Sequence, residues 1–136
     1  MPDVHTPAIR SFNMSRIKGK NTRPEMLVRR FLHGWGYRYT LHSNKLPGKP
    51  DIVLPKYNIA IFINGCFWHG HNNCRYFVIP KTRTQWWTAK INGNIANDVK
   101  KKAALKKLGY KVITIWECQL KPAKLHATLQ RLLARL

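Results

Sequence analysis

The chain reads IAIFINGCFWHGH from residue 59 to residue 71. The first five of these residues are apolar without a break, which predicts a short strand that is buried in a sheet. Residues 64–83 have no helical or strand periodicity, so the strand leads into an irregular loop. That loop carries cysteine, histidine and aromatic side chains, and it is therefore the leading candidate for a functional site.

Helix and strand signals alternate on either side of this stretch. Thr22 and Glu25 fit a capping box with an early proline, and Gly34 and Gly36 can end the helix that it starts. Thr84 can cap a second, long helix. The predicted elements are, in order, a helix over 22–34, strands over Tyr37–Leu41, Asp51–Leu54 and Ile59–Ile63, a helix from Thr84 to about Leu108, a strand over Lys111–Trp116 and a helix over Ala123–Leu136.

The order of these elements predicts a single α/β domain. A helical crossover before the last strand favours a mixed central sheet flanked by helices on both faces. By analogy of layout, this is the restriction-endonuclease-like core that many restriction and repair nucleases share. Residues 1–21 are polar and basic without periodicity and are predicted to form an N-terminal arm, while residues 22–136 form the domain.

The composition indicates a polyanionic partner. The chain has 25 Lys and Arg against 5 Asp and Glu, a formal net charge of +20. Nucleic acid is the first expectation for such a chain, and an acidic membrane surface is the second. No apolar run is long enough to span a bilayer, and the first residues lack signal-peptide character, so an intracellular protein is expected.

The cysteines predict a structural zinc site. The chain has 3 cysteines, and an odd count argues against a disulfide framework. Three thiolates and one imidazole make the closed tetrahedral site that zinc prefers, with His71 as the natural fourth ligand. The spacing also allows His69 to be the ligand and His71 to be exposed, so one histidine of the pair is left over in either case. The predicted thiolate ligands are Cys66, Cys74 and Cys118.

Asp51 is the carboxylate best placed for metal-assisted chemistry. It opens a predicted strand, where a carboxylate can hold Mg²⁺ at the rim of the sheet, although an ordinary turn aspartate is the alternative. The next strand ends in Phe62-Ile63-Asn64 and lacks the acidic residue and lysine that nucleases often place there. Another general base is therefore needed, and His69 could serve, since an unperturbed histidine has a pKa of about 6.5. A structural interpretation is stronger for three other acidic residues, Glu25, Asp98 and Glu117.

Several aromatic residues lie in or just after the irregular basic segment. Aromatic side chains on the loops of a basic protein can stack on bases or wedge between base pairs, while core packing is the alternative. At most one ring of the Trp86 and Trp87 pair should be free, because neighbouring residues at the start of a helix usually point one inward and one outward. Trp116 is expected in the core. The loop aromatics in question are Phe67, Trp68, Trp86 and Trp87.

Taken together, the motifs resemble those of the very-short-patch repair (Vsr) endonucleases, which nick DNA at T:G mismatches left by deamination of 5-methylcytosine. The resemblance covers nearly the whole chain, and its most specific part is the run Gly65-Cys66-Phe67-Trp68-His69. The other matching residues are Asp3-Val4-His5, Arg10-Ser11, Asn13-Met14, Thr22, Glu25, Leu46-Pro47-Gly48, Pro50-Asp51, Pro80, Thr82-Arg83-Thr84, Lys90-Ile91, Asn94, Asp98 and Trp116-Glu117-Cys118.

The resemblance implies roles for the site residues. Asp51 would be the carboxylate that binds Mg²⁺, helped by the backbone carbonyl of Ile63, and His69 would be the general base. Glu25 would support the water at that site. Asn64 stands where members of the family can carry a histidine, and its amide can hydrogen-bond a water or phosphate but cannot titrate. Structural zinc would be held by Cys66, His71, Cys74 and Cys118.

The resemblance also implies how DNA is bound. Phe67, Trp68 and Trp87 would wedge into the duplex beside the mismatch, and Met14, on a DNA-contacting arm, would enter from the minor groove. Lys90 and Asn94 match further family positions and are expected to contact the DNA.

The resulting expectation is a monomeric, zinc-stabilised, Mg²⁺-dependent endonuclease of the bacterial cytoplasm and nucleoid that nicks one strand 5′ to the mispaired T. Mismatch-repair proteins are candidate partners, and no membrane association is expected. One alternative is a restriction-type endonuclease that cuts paired duplex as a dimer. A second is a zinc module that binds DNA without catalysis, which would tolerate the loss of Asp51 and ignore Mg²⁺.

Overall fold

The computed structural model describes residues 21–136. Within these residues, three helices and four strands appear in the predicted order, so the single α/β domain with a mixed sheet is confirmed. Met14 and all of the predicted arm except Asn21 lie outside the described residues. The elements are α1 (Arg23–Gly34), β1 (Thr40–Leu41), β2 (Ile52–Leu54), β3 (Ile59–Asn64), α2 (Thr84–Lys107), β4 (Lys111–Trp116) and α3 (Pro122–Ala134), with 3₁₀ turns at Pro55–Tyr57 and Glu117–Leu120.

The four strands form one sheet in the order β1-β2-β3-β4. The β1–β2 and β2–β3 pairs are antiparallel, and β3 and β4 are parallel, with α2 as the crossover between them. The parallel register runs from Ile59 opposite Lys111 to Asn64 opposite Trp116. The start of β2 and the ends of β3 and β4 therefore meet at one edge of the sheet.

The core has two sides, because successive residues of a strand face opposite ways. Ile59 and Ile61 of β3 pack with Val28 and Leu32 of α1 and with Leu132 of α3. On the other face, Ala60 and Phe62 pack against Leu105 of α2. The nearly continuous apolar sequence of β3 follows from this, since both of its faces are covered.

The first strand and the cap of α2 differ most from the prediction, while several other boundaries shift by one or two residues. The first strand is limited to Thr40–Leu41. Its partner β2 ends at Leu54, and Pro55 then starts a 3₁₀ turn. Residues 37 and 38 therefore have no strand to pair with. Thr84 does not cap α2. Arg83 occupies the cap position with a left-handed backbone (φ 56°), and the Thr84 hydroxyl donates hydrogen bonds to the carbonyls of Pro80 and Lys81 instead.

The capping box of α1 is present in a shifted form. Thr22 is the N-cap, and its hydroxyl accepts a hydrogen bond from the backbone of Glu25 at 3.4 Å. The Glu25 carboxylate reaches one residue further back than the motif requires and accepts from the backbone N–H of Asn21 at 3.3 Å. The second carboxylate oxygen of Glu25 therefore contacts other side chains and not the helix cap.

No helix among residues 21–136 has both the length and the apolarity to cross a membrane.

Candidate active site and metal cluster

Asp51 lies where β1, β2 and β3 meet. Its carbonyl accepts a hydrogen bond from the backbone N–H of His42 at 3.1 Å, which continues the β1–β2 ladder by one residue. Its carboxylate oxygen Oδ2 accepts from the backbone N–H of Ile63, near the end of β3, at 2.7 Å. The side chain is thus fixed at the edge of the sheet that the sequence indicated.

Two further side chains approach this carboxylate. Glu25, Asp51 and His42 each offer a ligand atom, and these atoms all lie within 4.8 Å of one another. Glu25 is only 1% exposed. Its Oε2 lies 3.2 Å from Arg29 Nη1 and 3.2 Å from His42 Nε2. The resemblance implies a role for Glu25 but none for His42. The only signal for His42 in the sequence is that a histidine follows the predicted first strand.

The electrostatics of the Glu25–His42–Asp51 cluster favour a bound cation. The pKa of Asp51 is raised from 3.8 to about 6, mainly by burial and also by the nearby Glu25, against lowering by the Ile63 hydrogen bond and by His42 and His69. A buried pair of carboxylates is costly to ionise without positive partners; Arg29 supplies one to Glu25, whereas Asp51 has no Lys or Arg partner among the described residues. A divalent ion would supply that partner, so the residues present fit the divalent metal that the resemblance implies.

His69 has a different neighbour. Its Nδ1 lies 2.7 Å from Oδ2 of Asp98 on α2. Because a carboxylate accepts hydrogen bonds, this contact holds the ring with Nδ1–H donating and leaves Nε2 to act on a substrate. The sequence favours a structural interpretation of Asp98, because a lone aspartate in the middle of a basic helix gives no sign of its partner in a distant loop.

The loop that carries His69 is fixed against α2. Gly70 has a left-handed backbone (φ +59°), and a Cβ on it would lie 2.6 Å from Cδ1 of Ile95 and 2.9 Å from Cγ2 of Ile91. Only glycine fits so close an approach without strain. This contact brings the loop down onto the helix and so sets the distance between His69 and Asp98.

The second cluster gathers the three cysteines and one histidine. Cys66, His71, Cys74 and Cys118 offer ligand atoms that all lie within 4.8 Å of one another. Sγ of Cys118 lies 3.4 Å from Nδ1 of His71, and the backbone N–H of Cys118 donates to Sγ of Cys66 at 3.3 Å. The histidine facing the thiols is therefore His71, while His69 faces Asp98, a choice that the spacing had left open.

The chemistry of this cluster fits zinc. In a tetrahedral site with Zn–S bonds of about 2.3 Å, ligand atoms are about 3.8 Å apart, which the observed spacing allows. Burial raises the pKa of the Cys66 thiol to about 12, so a metal is needed to hold it as a thiolate. Burial lowers the pKa of His71, which keeps its imidazole neutral and able to ligate. The His71 ring is stacked on Trp116 at 4.1 Å between centroids, so Trp116 packs against the cluster.

The loop aromatics form one partly exposed group. Phe67 is stacked on Trp68 at 5.3 Å between ring centroids and lies 5.3 Å from Trp87. Trp68 is 48% exposed, and so is Trp86, over whose ring the Arg83 guanidinium lies at 4.8 Å. Trp87 is only partly buried and packs edge-on against Trp86 at 4.8 Å. Of the tryptophan pair, Trp86 is thus the more exposed ring, whereas the resemblance implied Trp87 as the wedge.

The remaining predicted residues lie close to these groups. The Asn94 side chain donates to the backbone carbonyl of Trp68 at 2.8 Å, so it supports the aromatic group from α2. Lys90 is exposed one turn earlier on the same helix. Asn64 is buried at the end of β3, paired with Trp116 and on the same face of the sheet as Phe62, which is the face that α2 covers.

Comparison with known proteins agrees with this arrangement. The family model described as "DNA mismatch endonuclease Vsr" matches residues 2–75. That segment contains Asp51 and His69, but it stops before Asp98 and Cys118.

Individual relatives match over most of their length. A protein of Neisseria meningitidis named "Type II nicking enzyme V.NmeAIP" is 49% identical over 89% of this chain and 86% of that protein. "Type II nicking enzyme V.XorIIP" of Xanthomonas oryzae is 47% identical over 88% of each chain. "DNA mismatch endonuclease Vsr" of Escherichia coli is 40% identical over 89% of this chain and 77% of that protein. With its restriction-endonuclease-like core and these matches, the chain belongs to the Vsr family of DNA mismatch endonucleases.

Proposed function

We propose that this protein nicks one strand of duplex DNA 5′ to the T of a T:G mismatch, as a Mg²⁺-dependent monomer in very-short-patch repair. The observation that carries the proposal is the placement of three groups at one end of the sheet, where the charge of His69 acts on Asp51. These groups are the Glu25–His42–Asp51 cluster, the His69–Asp98 pair and the exposed aromatics around Trp68. Kinship with proteins named as mismatch and nicking endonucleases supports the same conclusion.

The chain's own residues divide the chemical work between them. Asp51 and Glu25, with the backbone carbonyl of Ile63, would hold the metal. When bound, Mg²⁺ would act as a Lewis acid that polarises the scissile phosphate and stabilises the leaving oxygen. His69 takes a proton from the attacking water through Nε2. Asp98 keeps His69 in the required tautomer and stabilises the imidazolium that forms.

Asn64 has a supporting part in this scheme. It follows Ile63 at the end of β3, close to the residues that hold the metal. Its amide can hydrogen-bond a water or a phosphate oxygen, but it cannot take up a proton at neutral pH. We therefore assign the proton transfer to His69 alone.

Recognition of the mismatch depends on deformation of the duplex. A net charge of +20 supplies phosphate contacts, to which the exposed Lys90 contributes. Phe67, Trp68 and Trp87 enter the base stack as one group, held in place by Asn94 through the Trp68 carbonyl. A wobble pair costs less to unstack than a Watson–Crick pair, so aromatic wedging favours the mismatch. Met14 is proposed to enter the duplex from the minor-groove side.

Zinc has a structural part in the proposal. The Cys66–His71–Cys74–Cys118 cluster has no open position for a substrate, since four protein ligands satisfy a tetrahedral ion. It joins the loop after β3 to the turn after β4. We therefore expect about one zinc per chain, retained during purification and needed for folding.

A nicking panel tests the proposal. Duplexes that carry T:G in varied sequence contexts would be compared with the matching C:G and T:A duplexes, with Mg²⁺ present or omitted and each strand labelled separately. We expect a single nick 5′ to the mispaired T, only with Mg²⁺, and none with Asp51→Asn. Cleavage of both strands of paired duplex would favour the restriction-type alternative. Binding without any cut in every context would favour a non-catalytic module.

A further inference from the structure

We propose that His42 supplies a nitrogen ligand to the divalent metal held by Glu25 and Asp51, so that the site assigned above to Mg²⁺ also binds first-row transition cations, and binds them more tightly. The inference rests on the proposed function in placing the catalytic metal at these carboxylates, and it adds a third side chain and a class of cofactor. Imidazole is a good ligand for transition metals, whereas Mg²⁺ prefers oxygen atoms alone.

The strand register places His42 opposite Asp51. Thr40 pairs with Val53 and Leu41 with Ile52, so the next pair along the ladder is His42 with Asp51. The hydrogen bond from the His42 backbone N–H to the Asp51 carbonyl, at 3.1 Å, shows that the ladder continues to this pair. Directly opposed residues of antiparallel strands project their side chains to the same face and lie within contact distance.

The backbone of His42 has an unusual conformation. Its φ is +49°, in the left-handed region that residues other than glycine rarely adopt. Such a conformation costs energy and persists where the surroundings determine it, often at functional sites. Here it accompanies a turn at the end of β1 that leaves the imidazole beside two carboxylates.

The imidazole nitrogen has no hydrogen bond within the described part of the chain. Nε2 of His42 lies 3.2 Å from Oε2 of Glu25, yet its geometry is not that of a hydrogen bond, and the atom is shielded from solvent. A buried polar atom without a partner is uncommon in proteins and calls for an explanation. This close approach without a hydrogen bond is expected when the nitrogen and the carboxylate oxygen each direct a lone pair at one shared metal ion.

The spacing of the three side chains suits one metal ion. An ion about 2.1 Å from each ligand has neighbouring ligand atoms about 3 Å apart and opposite ones about 4 Å apart. The 3.2 Å between His42 and Glu25 corresponds to a neighbouring pair, and all three ligand atoms lie within 4.8 Å. Two carboxylates and one imidazole leave further positions open for water and phosphate.

Mn²⁺ provides a direct test, because it is paramagnetic and reports nitrogen atoms bound to it. Full-length, zinc-loaded protein would be titrated with Mn²⁺ and measured by pulsed electron paramagnetic resonance. We expect a ¹⁴N coupling from a directly bound imidazole in the wild type. It should persist in His69→Gln and in the exposed control His126→Gln, and disappear in His42→Gln.

Affinity measurements give the second readout. In calorimetric titrations, His42→Gln should weaken Mn²⁺ binding roughly tenfold or more while Mg²⁺ binding changes little, because only the nitrogen ligand is lost. Far-UV circular dichroism would establish that the variant is folded. If it is not, a coupling that persists in the His5→Gln, His33→Gln, His69→Gln and His126→Gln variants supports His42, since His71 is then occupied by zinc, and a wild-type spectrum without coupling overturns the proposal.

Each outcome separates this inference from the proposed function. A wild-type spectrum without ¹⁴N coupling, or a coupling that survives in His42→Gln, overturns the assignment of His42 even if the protein nicks T:G duplexes. A coupling that depends on His42 in a protein that fails to nick leaves the metal site standing and overturns the proposed activity instead.

Discussion

Replacing Asp51 with asparagine should stabilise the metal-free protein while it removes the metal-dependent cut. Burial raises the pKa of Asp51 from 3.8 to about 6, so its ionised form is disfavoured in the folded state by about two pKa units. At 1.36 kcal/mol for each unit, the folded protein loses about 3 kcal/mol at neutral pH. Asparagine carries no charge, and its side-chain oxygen can still accept the hydrogen bond from Ile63.

The stability gained by the Asp51→Asn substitution should depend on pH. Because the folded-state pKa is higher than the unfolded value, the penalty is absent well below pH 3.8, grows as the pH rises through the interval from 3.8 to about 6, and is complete above it. We therefore expect Asp51→Asn to exceed the wild type by about 3 kcal/mol at pH 8 and by only about 1 kcal/mol at pH 4.5. Zinc release at low pH affects both proteins alike and cancels in the difference.

Urea unfolding of zinc-loaded protein in Mg²⁺-free buffer measures this difference, since a chelator would strip the structural metal. Glu117→Gln is the matched control, because Glu117 is half-exposed and the same chemical change there should have little effect. Saturating Mg²⁺ should then stabilise the wild type, by about 2.7 kcal/mol at a hundred times Kd, and leave Asp51→Asn unchanged. An asparagine variant that is no more stable than the wild type at pH 8 would refute the reasoning.

Four other substitutions test the separate groups of the site. His69→Ala should reduce single-turnover nicking roughly 10²–10⁴-fold with zinc content unchanged. His71→Ala should instead lose zinc and stability first. Elemental analysis together with the nicking rate would show whether these roles are reversed. Asp98→Asn should lose a large part of the same factor, because the amide can hold His69 in the wrong tautomer, and an unchanged rate and pH profile would mean that the contact is only structural. Trp68→Ala should lower nicking of T:G duplex much more than it lowers the melting temperature, since Trp68 is 48% exposed, and loss of folding would instead support core packing.

Strand signals in the sequence were reliable where the chain is buried. The predicted strand over Lys111–Trp116 matches the observed one, and that over Ile59–Ile63 ends one residue early. Continuous apolar runs have few alternatives when both faces of a sheet are covered. The first strand was predicted too long because its extent depends on where β2 ends, which its own residues cannot indicate.

The candidate site was predictable only in part, because several of its contacts join distant segments. Asp51 and the cysteines could be found from residue type and position. His42 and Asp98 could not, since one meets its partners across a strand pair and the other lies 29 residues from His69 along the chain. Similarly, the choice between His69 and His71 required the fold of the loop, which depends on the packing of Gly70 against α2.

The cysteine cluster also limits how the sheet can open. Asn64 and Trp116 form the last pair of the parallel strands β3 and β4, and Cys66 and Cys118 each follow two residues later. A metal at the cluster therefore clips the two strands together just beyond the end of their register, next to the residues proposed for catalysis. Fraying should begin at the opposite end, near Ile59 and Lys111, where amide hydrogen exchange is expected to be faster than at Ile63 and Ile115. Loss of the metal should remove this difference, so the catalytic edge would become as loose as the far end before the domain unfolds.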